Sequence, residues 1–531
     1  MPKLTIDGID VEVEDGLNLI QAAAEIGIEV PHFCYHPDLS IVAQCRQCLV
    51  EVEGVPKVLP ACNTFVRDGL VVKTNTEKAI EARKATLEFT LINHPLDCPI
   101  CDKGGECPLQ LTTVKHGPGY SRFDSPYEKK VRKKYYLSDR IMYDPNRCIM
   151  CTRCVRFTSE VTKTGELGYN NRGFRKRIVT FPGKDLNNEL AGNVIDLCPV
   201  GALLDKGTLH EERVWYWKFT ESVCTLCSTG CNITVGVDPR KGKVARVRPR
   251  YNKDVNGHWI CDRGRYGFSE VQEEKRIKDP IIKVKNGFDI TDWDFSYQLI
   301  SKNFNITGGF EYSDIGIFAS PKLTNEELFL LKKLKEAVNS PNLVSNIGTP
   351  IGEKKFGLIS SDPYPNSKGI KELNIDCSPK SISNLIDSIL EDRIHKLIVV
   401  EDDLFEVLHK SQHSSLTQAL GKLDFLLVID TKLTQTMKYA DLILPGATAY
   451  ERDGTFTNDK NRVQRLNKSI DPPGNSKPQW EIINDLIELI GNTRSDFDNP
   501  GGIFNTISES IPTYSDMTYD KLGYLGMSKQ V

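Results

Sequence analysis

The sequence predicts two architectures in one chain: a run of small α+β modules up to about residue 275, then one α/β layer. Three observations carry this. Fifteen of the sixteen cysteines fall before residue 262, in four groups of three or four. Short alternating strands and a brief helix, punctuated by glycine, precede the first group. After about residue 276 short apolar runs are interleaved with helix-like stretches, the pattern of a parallel sheet covered by helices. A chain of 531 residues is in any case too long for one core.

The elements follow in order. Leu4, Ile6, Val11 and Val13 alternate around Gly8, which predicts a hairpin. Residues 17–26 carry helical apolar spacing that stops at Gly27. The stretch 33–48 is irregular, and 49–52 returns as a strand. Ile80, Leu87, Leu91 and Ile92 predict a helix over 77–93, capped by Asn75 or Thr76 and ended by His94-Pro95. Residues 115–140, with Lys129, Lys130, Arg132, Lys133 and Lys134, read as a basic connection. Buried-type strands are expected at 315–318, 397–400 and 425–429, and helices at 326–338 and 382–390. The last twenty or so residues have a weak pattern and read as a tail. The expected domains are 1–75, 76–140, 141–214, 215–275 and 276–531.

Composition narrows the class. Hydrophobic content of 39% and charged content of 26% are ordinary for a soluble globular protein. A formal net charge of -3 argues against a dedicated nucleic-acid binder. The apolar runs are too short to span a bilayer. The N-terminus reads directly as a strand, without the marks of a signal or transit segment. A cytosolic address is expected, where cysteines serve as metal ligands rather than disulfides. There is no G-x-G-x-x-G after a strand and no Walker motif, so no nucleotide site is expected.

The four groups are the candidate sites. Thiolates are the usual ligands of iron–sulfur clusters, four to a cluster. The first group, Cys34, Cys45, Cys48 and Cys62, runs C-x10-C-x2-C-x13-C after a hairpin and helix, and reads as a 2Fe-2S site; a zinc site would also suit Cys45 and Cys48. The second has only Cys98, Cys101 and Cys107, and His94 stands four residues before Cys98. An imidazole can replace a thiolate, as in Rieske centres, so His94 is the candidate fourth ligand rather than a plain helix-end residue. The third, Cys148, Cys151 and Cys154 with a distant Cys198-Pro199, has the bacterial ferredoxin spacing, with one cluster kept. The fourth, Cys224, Cys227, Cys231 and Cys261, reads as a further cluster, with a structural zinc knuckle as the alternative. Cys377 reads as a buried core thiol. The basic runs at 172–177 and 240–250 read most simply as solvated faces, able also to stabilise reduced clusters or dock an acidic partner.

The run Asp97-Cys98-Pro99-Ile100-Cys101-Asp102-Lys103-Gly104-Gly105-Glu106-Cys107-Pro108-Leu109-Gln110 resembles a signature of the large iron–sulfur subunit of respiratory complex I, the bacterial NADH:quinone oxidoreductase. Arg147-Cys148 through Arg156-Phe157 resembles a second signature, and Pro31-His32-Phe33-Cys34-Tyr35 through Cys45-Arg46-Gln47-Cys48 a third, with Ala43 where the family usually has glycine. Ordered resemblance covers roughly residues 1–275. It implies a ferredoxin-like β-grasp domain with a 2Fe-2S cluster on Cys34, Cys45, Cys48 and Cys62. It implies a helical segment with a 4Fe-4S cluster on His94, Cys98, Cys101 and Cys107, and a bacterial-ferredoxin-like 4Fe-4S site on Cys148, Cys151, Cys154 and Cys198. The fourth group resembles the N-terminal 4Fe-4S cluster of molybdopterin oxidoreductases, found in only some bacterial members and off the main electron path. Tyr439-Ala440-Asp441 through Ala447-Thr448, followed by Gly454-Thr455-Phe456-Thr457-Asn458, resembles a stretch of the same α/β fold, here shortened and expected to hold no molybdopterin.

The implied function is electron transfer from NADH, through a flavin on a partner subunit, along the clusters toward quinone, coupled to proton translocation. The implied partners are flavin-binding and other peripheral-arm subunits, and indirectly membrane-arm subunits. The implied location is the cytoplasmic face of the bacterial inner membrane, held there by partners, with no independent catalytic site in this chain. The alternatives are an electron-transfer subunit of a soluble NAD-linked hydrogenase or formate dehydrogenase, a catalytic molybdenum or tungsten oxidoreductase, and a zinc-rich assembly module.

Overall fold

The computed structural model describes residues 1–123, 131–304, 314–348, 351–491 and 497–529, the side chain of Phe174 aside. Lys129 and Lys130 of the expected connection lie outside the described residues. The chain forms two compact units, Met1–Tyr216 and Trp217–Val531.

The first unit opens with the expected hairpin, Lys3–Ile6 paired antiparallel with Ile9–Glu12. Its turn residues Asp7 (φ 49°) and Gly8 (φ 84°) are both left-handed, the twist that matches a two-residue hairpin. The strand Val71–Lys73 lies parallel to Lys3–Ile6, and Leu49–Val52 and Leu59–Pro60 complete a five-stranded sheet. The helix Leu19–Glu25 packs on it. Asn18 caps that helix and Gln21 reaches back to Asn18, so two orphan end groups satisfy each other. Cys48 and Cys62 belong to the core between sheet and helix, with Leu4, Ile6, Val50 and Val72. The helix Glu77–Ile92 starts at the cap Thr76 and stops just before His94. The helix Pro108–His116 starts directly after Cys107, with proline where no N–H is needed. The expected connection therefore begins as helix and ends in the strand Tyr135–Tyr136, which joins Ile141–Tyr143 and Leu203–Asp205 in a small sheet.

The second unit begins with an antiparallel sheet of Lys218–Val223, Asn232–Asp238 and Lys243–Pro249. A seven-stranded sheet follows. Five strands run parallel in the order Leu442–Pro445, Phe425–Asp430, Lys396–Val400, Ile315–Ala319 and Asn342–Ser345. The expected layer is thus present but mixed, because the hairpin Ile281–Val284/Gly287–Ile290 adds two antiparallel strands at one edge. Both faces are covered by apolar cores, one built on Leu328, Leu331, Ile482 and Leu486, the other on Leu385, Ile389, Leu416 and Leu420. Arg452 is buried between Glu327 (3.4 Å) and Glu401 (2.8 Å), so its charge is met on both sides.

One expectation fails here. The last residues are not a tail: Tyr514, Met517 and Leu522 are buried, and Met527–Ser528 adds a strand to Arg462–Leu466. Their apolar side chains are sparse and their pairing is long-range, which is why no local pattern betrays them. In the run at 240–250 the basic side chains are exposed or half-buried; there Arg240 grips Asp238 at 2.9 Å and Arg246 lies 4.7 Å over the Trp217 ring.

Candidate iron–sulfur sites

The first group is carried by the irregular stretch between helix and sheet. Cys34, Cys48 and Cys62 are buried and Cys45 half-buried. The backbone N–H groups of Phe33 and Cys34 each donate to Cys45 Sγ at 3.5 Å. Ala43 (φ 46°) and Arg46 (φ 55°) take left-handed backbone, so the residue that departs from the family pattern sits where glycine carries no penalty. The thiols stand as two proton-sharing pairs. The hydrogen bond with Cys34 pulls Cys45 down to about 5 while the same bond and burial push Cys34 up. Cys48 is pushed up, and Cys62 down, by their mutual bond.

The second and third groups abut. Cys98 is exposed, while Cys101 and Cys107 are buried on either side of Gly105, whose φ of 89° makes the turn between them. Cys107 Sγ donates to the Pro199 carbonyl at 3.6 Å. A Cβ on Gly201 would stand 2.2 Å from Cys101 Sγ, so the chain after Cys198 passes against the second group only because residue 201 has no side chain. In the third group Met150 (φ 55°) and Thr152 (φ 60°) are left-handed, and Met150 N–H donates to Cys148 Sγ at 3.4 Å. Burial pushes up Cys101, Cys107 and Cys154, and raises Cys151 to about 12.

Arginines tie these groups together. Arg156 Nη2 donates to the carbonyls of Cys34 (2.6 Å) and Cys151 (3.3 Å), joining the first group to the third. Arg153 donates to the carbonyls of Tyr35 and Leu197. Buried Arg147 binds Asp97 at 2.7 Å and the Gly201 carbonyl at 3.4 Å, joining the second to the third. A cavity of about 450 Å³ is lined by Cys45, His94, Cys148 and Cys151 together, with Arg46 and Lys176 among its walls. The sequence did not single out Arg147, Arg153, Arg156 or Gly201; the signal was there, three arginines interleaved with Cys148, Cys151 and Cys154.

The fourth group lies within the second unit. Cys224 ends the strand Lys218–Val223, Cys231 precedes Asn232–Asp238, and Cys224 N–H donates to the Cys231 carbonyl at 2.8 Å. Gly230 (φ 63°) turns the loop. Cys261 caps the short helix Asp262–Tyr266, accepting from Gly264 N–H at 3.3 Å. Burial raises Cys224, Cys231 and Cys261. Cys377 is half-buried at the margin of the core, not inside it.

The donor sets suit iron–sulfur clusters. Burial opposes ionisation of these thiols, and a cluster's iron supplies the positive charge that deprotonates a coordinating thiol. N–H groups already aim at Cys45, Cys148 and Cys261. Among the described residues no three His, Cys, Asp or Glu side chains are arranged to hold one metal ion. The cleft at the carboxyl ends of the parallel strands, about 520 Å³, suits a pterin dinucleotide poorly. Glu401, Asp402, Asp403 and Asp430 line it together with Arg263, Lys322, Lys432 and Arg452, and of these cations Lys322 and Arg452 are held by Asp402 and Glu401. Carboxylates stand where a pyrophosphate needs donors.

Family models match in chain order: a 2Fe-2S iron–sulfur cluster binding domain over residues 2–77, the NADH-ubiquinone oxidoreductase-G iron–sulfur binding region over 83–122, the ferredoxin-like domain of NADH-quinone oxidoreductase subunit 3 over 138–204, the molybdopterin oxidoreductase Fe4S4 domain over 217–273, and molybdopterin oxidoreductase over 370–489. An NADH-quinone oxidoreductase G subunit of Rhizobium meliloti, numbered 2, is 40% identical over 65% of this chain and 40% of its own length. The NADH-ubiquinone oxidoreductase 75 kDa subunit of Reclinomonas americana is 40% identical over 69% of this chain and 53% of its own. The matches thus span about half the length of these relatives or less. A chain of an NAD+-reducing NiFe-hydrogenase is 29% identical over 40% of this chain and 91% of its own, with a TM-score of 0.36. The NADH-quinone oxidoreductase G subunit of Rickettsia bellii is 31% identical over 98% of this chain and 76% of its own. On that match across nearly all of this chain and the ordered iron–sulfur domains, the chain belongs to the family of NADH-quinone oxidoreductase G subunits.

Proposed function

We propose that this chain is the iron–sulfur electron-transfer subunit of an NADH:quinone oxidoreductase, complex I. The observation that supports the reading is the cavity where Cys45 of the first group meets Cys148 and Cys151 of the third, with His94 in the same wall. We assign Cys34, Cys45, Cys48 and Cys62 to a 2Fe-2S cluster. Three 4Fe-4S clusters take His94, Cys98, Cys101 and Cys107; Cys148, Cys151, Cys154 and Cys198; and Cys224, Cys227, Cys231 and Cys261. When bound, such clusters accept and release single electrons, the first three here between NADH with a flavin on a partner subunit and quinone, coupled to proton translocation, with the fourth off that path.

The chain's own residues hold that path. Arg156 and Arg147 fix the spacing of the loops, the N–H groups aimed at sulfur favour the reduced state, and burial excludes water. No group in this role acts as acid, base or nucleophile. The 276–531 region acts as a scaffold without molybdopterin, and the modules divide at 75/76, 140/141, 214/215 and 275/276. Peripheral-arm subunits are the partners, and the cytoplasmic face of the bacterial inner membrane is the site of work. Among the described residues no helix is long and apolar enough to cross a membrane.

His94→Cys tests the ligand set. Replacing a neutral imidazole by an anionic thiolate keeps a cluster and lowers its midpoint in an EPR-monitored redox titration. An unchanged midpoint rejects His94 as a ligand. In the assembled complex NADH reduces the signals of the first three clusters; if only dithionite can raise those three, the chain is removed from the electron path.

A further inference from the structure

The segment that follows the small sheet, residues 206–216, folds back over the loop of the second group. Arg213 is its anchor. Arg213 Nη1 donates to the Cys101 carbonyl at 2.6 Å and Nη2 to the Pro99 carbonyl, so one guanidinium grips the loop on both sides of Ile100. Its plane lies 5.6 Å from the centre of the Trp215 ring. Trp215 in turn covers Gly105, where a Cβ would stand 2.9 Å from the indole. At the other end the His210 N–H donates to Asp102 Oδ1 at 2.8 Å, with the ring 3.6 Å from Oδ2. Four contacts, at Pro99, Cys101, Asp102 and Gly105, thus strap a loop whose first cysteine, Cys98, is exposed.

We propose that Arg213 is a positioning residue of the second cluster, holding the 97–107 loop around it and raising its potential relative to the other sites. The inference rests on the ligand set proposed above. The charge argument comes from a contrast within the same loop. Arg147 also approaches Cys101, but Asp97 and Asp144 answer its charge at 2.7 and 3.5 Å. Arg213 spends its donors on carbonyls, whose polarisation draws electron density away from the ligand backbone and leaves a positive charge beside the loop. A fixed positive charge favours the more negative, reduced state of a nearby centre. The bidentate fork also locks two consecutive turns of the loop, which a lysine cannot do.

The test compares the full-length wild-type chain with Arg213→Gln and Arg213→Lys, each carrying its clusters, by EPR-monitored redox titration. Arg213→Gln is expected to lower the midpoint of the His94-containing cluster and leave the other midpoints unchanged. Arg213→Lys is expected to restore the midpoint toward wild type with fewer loaded sites, because charge is kept and the fork is lost. If Arg213→Gln cannot hold the cluster, Arg213→Lys alone decides: recovery of the signal near the wild-type midpoint supports the proposal. Equal midpoints in wild type and Arg213→Gln, or loss of the cluster from both variants, overturns it. A wild-type chain without a second-group signal overturns the ligand set itself, a different failure from an unshifted variant.

Discussion

At the scale of single residues, the sites depend on positions where the backbone is pressed into unusual shape. Ala43 is left-handed, which costs a residue with a Cβ about 1 kcal/mol. Ala43→Gly is expected to stabilise the holo chain by up to about 1 kcal/mol, read as a higher denaturant midpoint with an unchanged slope; a lower midpoint removes strain as the explanation. Gly201→Ala works the other way. Its methyl would meet Cys101 Sγ at 2.2 Å, and the variant is expected to lose the second cluster's EPR signal first. Retention of all signals at wild-type intensity shows that the loop can yield. The sequence displayed the cysteines and His94 because their spacing is local. It did not display what Arg156 reaches, a bond to the Cys34 carbonyl that spans 122 residues, or what Arg213 reaches, a bond to Cys101 that spans 112. Contacts that long leave no periodic trace.

At the scale of elements, helices and strands were legible where the caps and patterns are local. Gly27, Thr76 and His94-Pro95 mark helix ends in the sequence and in the fold. The edge hairpin at 281–290 and the closing strand Met527–Ser528 were not, since each is defined by a partner far away in the chain. The helix Leu19–Glu25 backs the sheet that carries the first group, and it rests on the buried cap Asn18. Asn18→Ala is expected to cost about 1 kcal/mol and to lower the thermal midpoint by about 2–4 °C, read by circular dichroism. An unchanged midpoint shows that the helix is held by packing alone.

At the scale of the whole molecule, the four groups divide unevenly between two units, three in Met1–Tyr216 and one in Trp217–Val531. One two-iron and three four-iron clusters predict about fourteen irons per chain with matching acid-labile sulfide. Elemental analysis of the purified chain checks this. About ten irons would remove the fourth group from the cluster set, and zinc in place of iron would remove the electron-transfer reading.

The burial of the ligands bears on how the protein is made. Cys34, Cys48 and Cys62 are about 1% exposed, and the third group cannot close until Cys198, 44 residues beyond Cys154, has been synthesised. Thiols so deeply enclosed as these couple metal binding to folding: a ligand that folding buries is best met by its iron while the chain is still closing over it, so the order of chain closure bears on the order of loading.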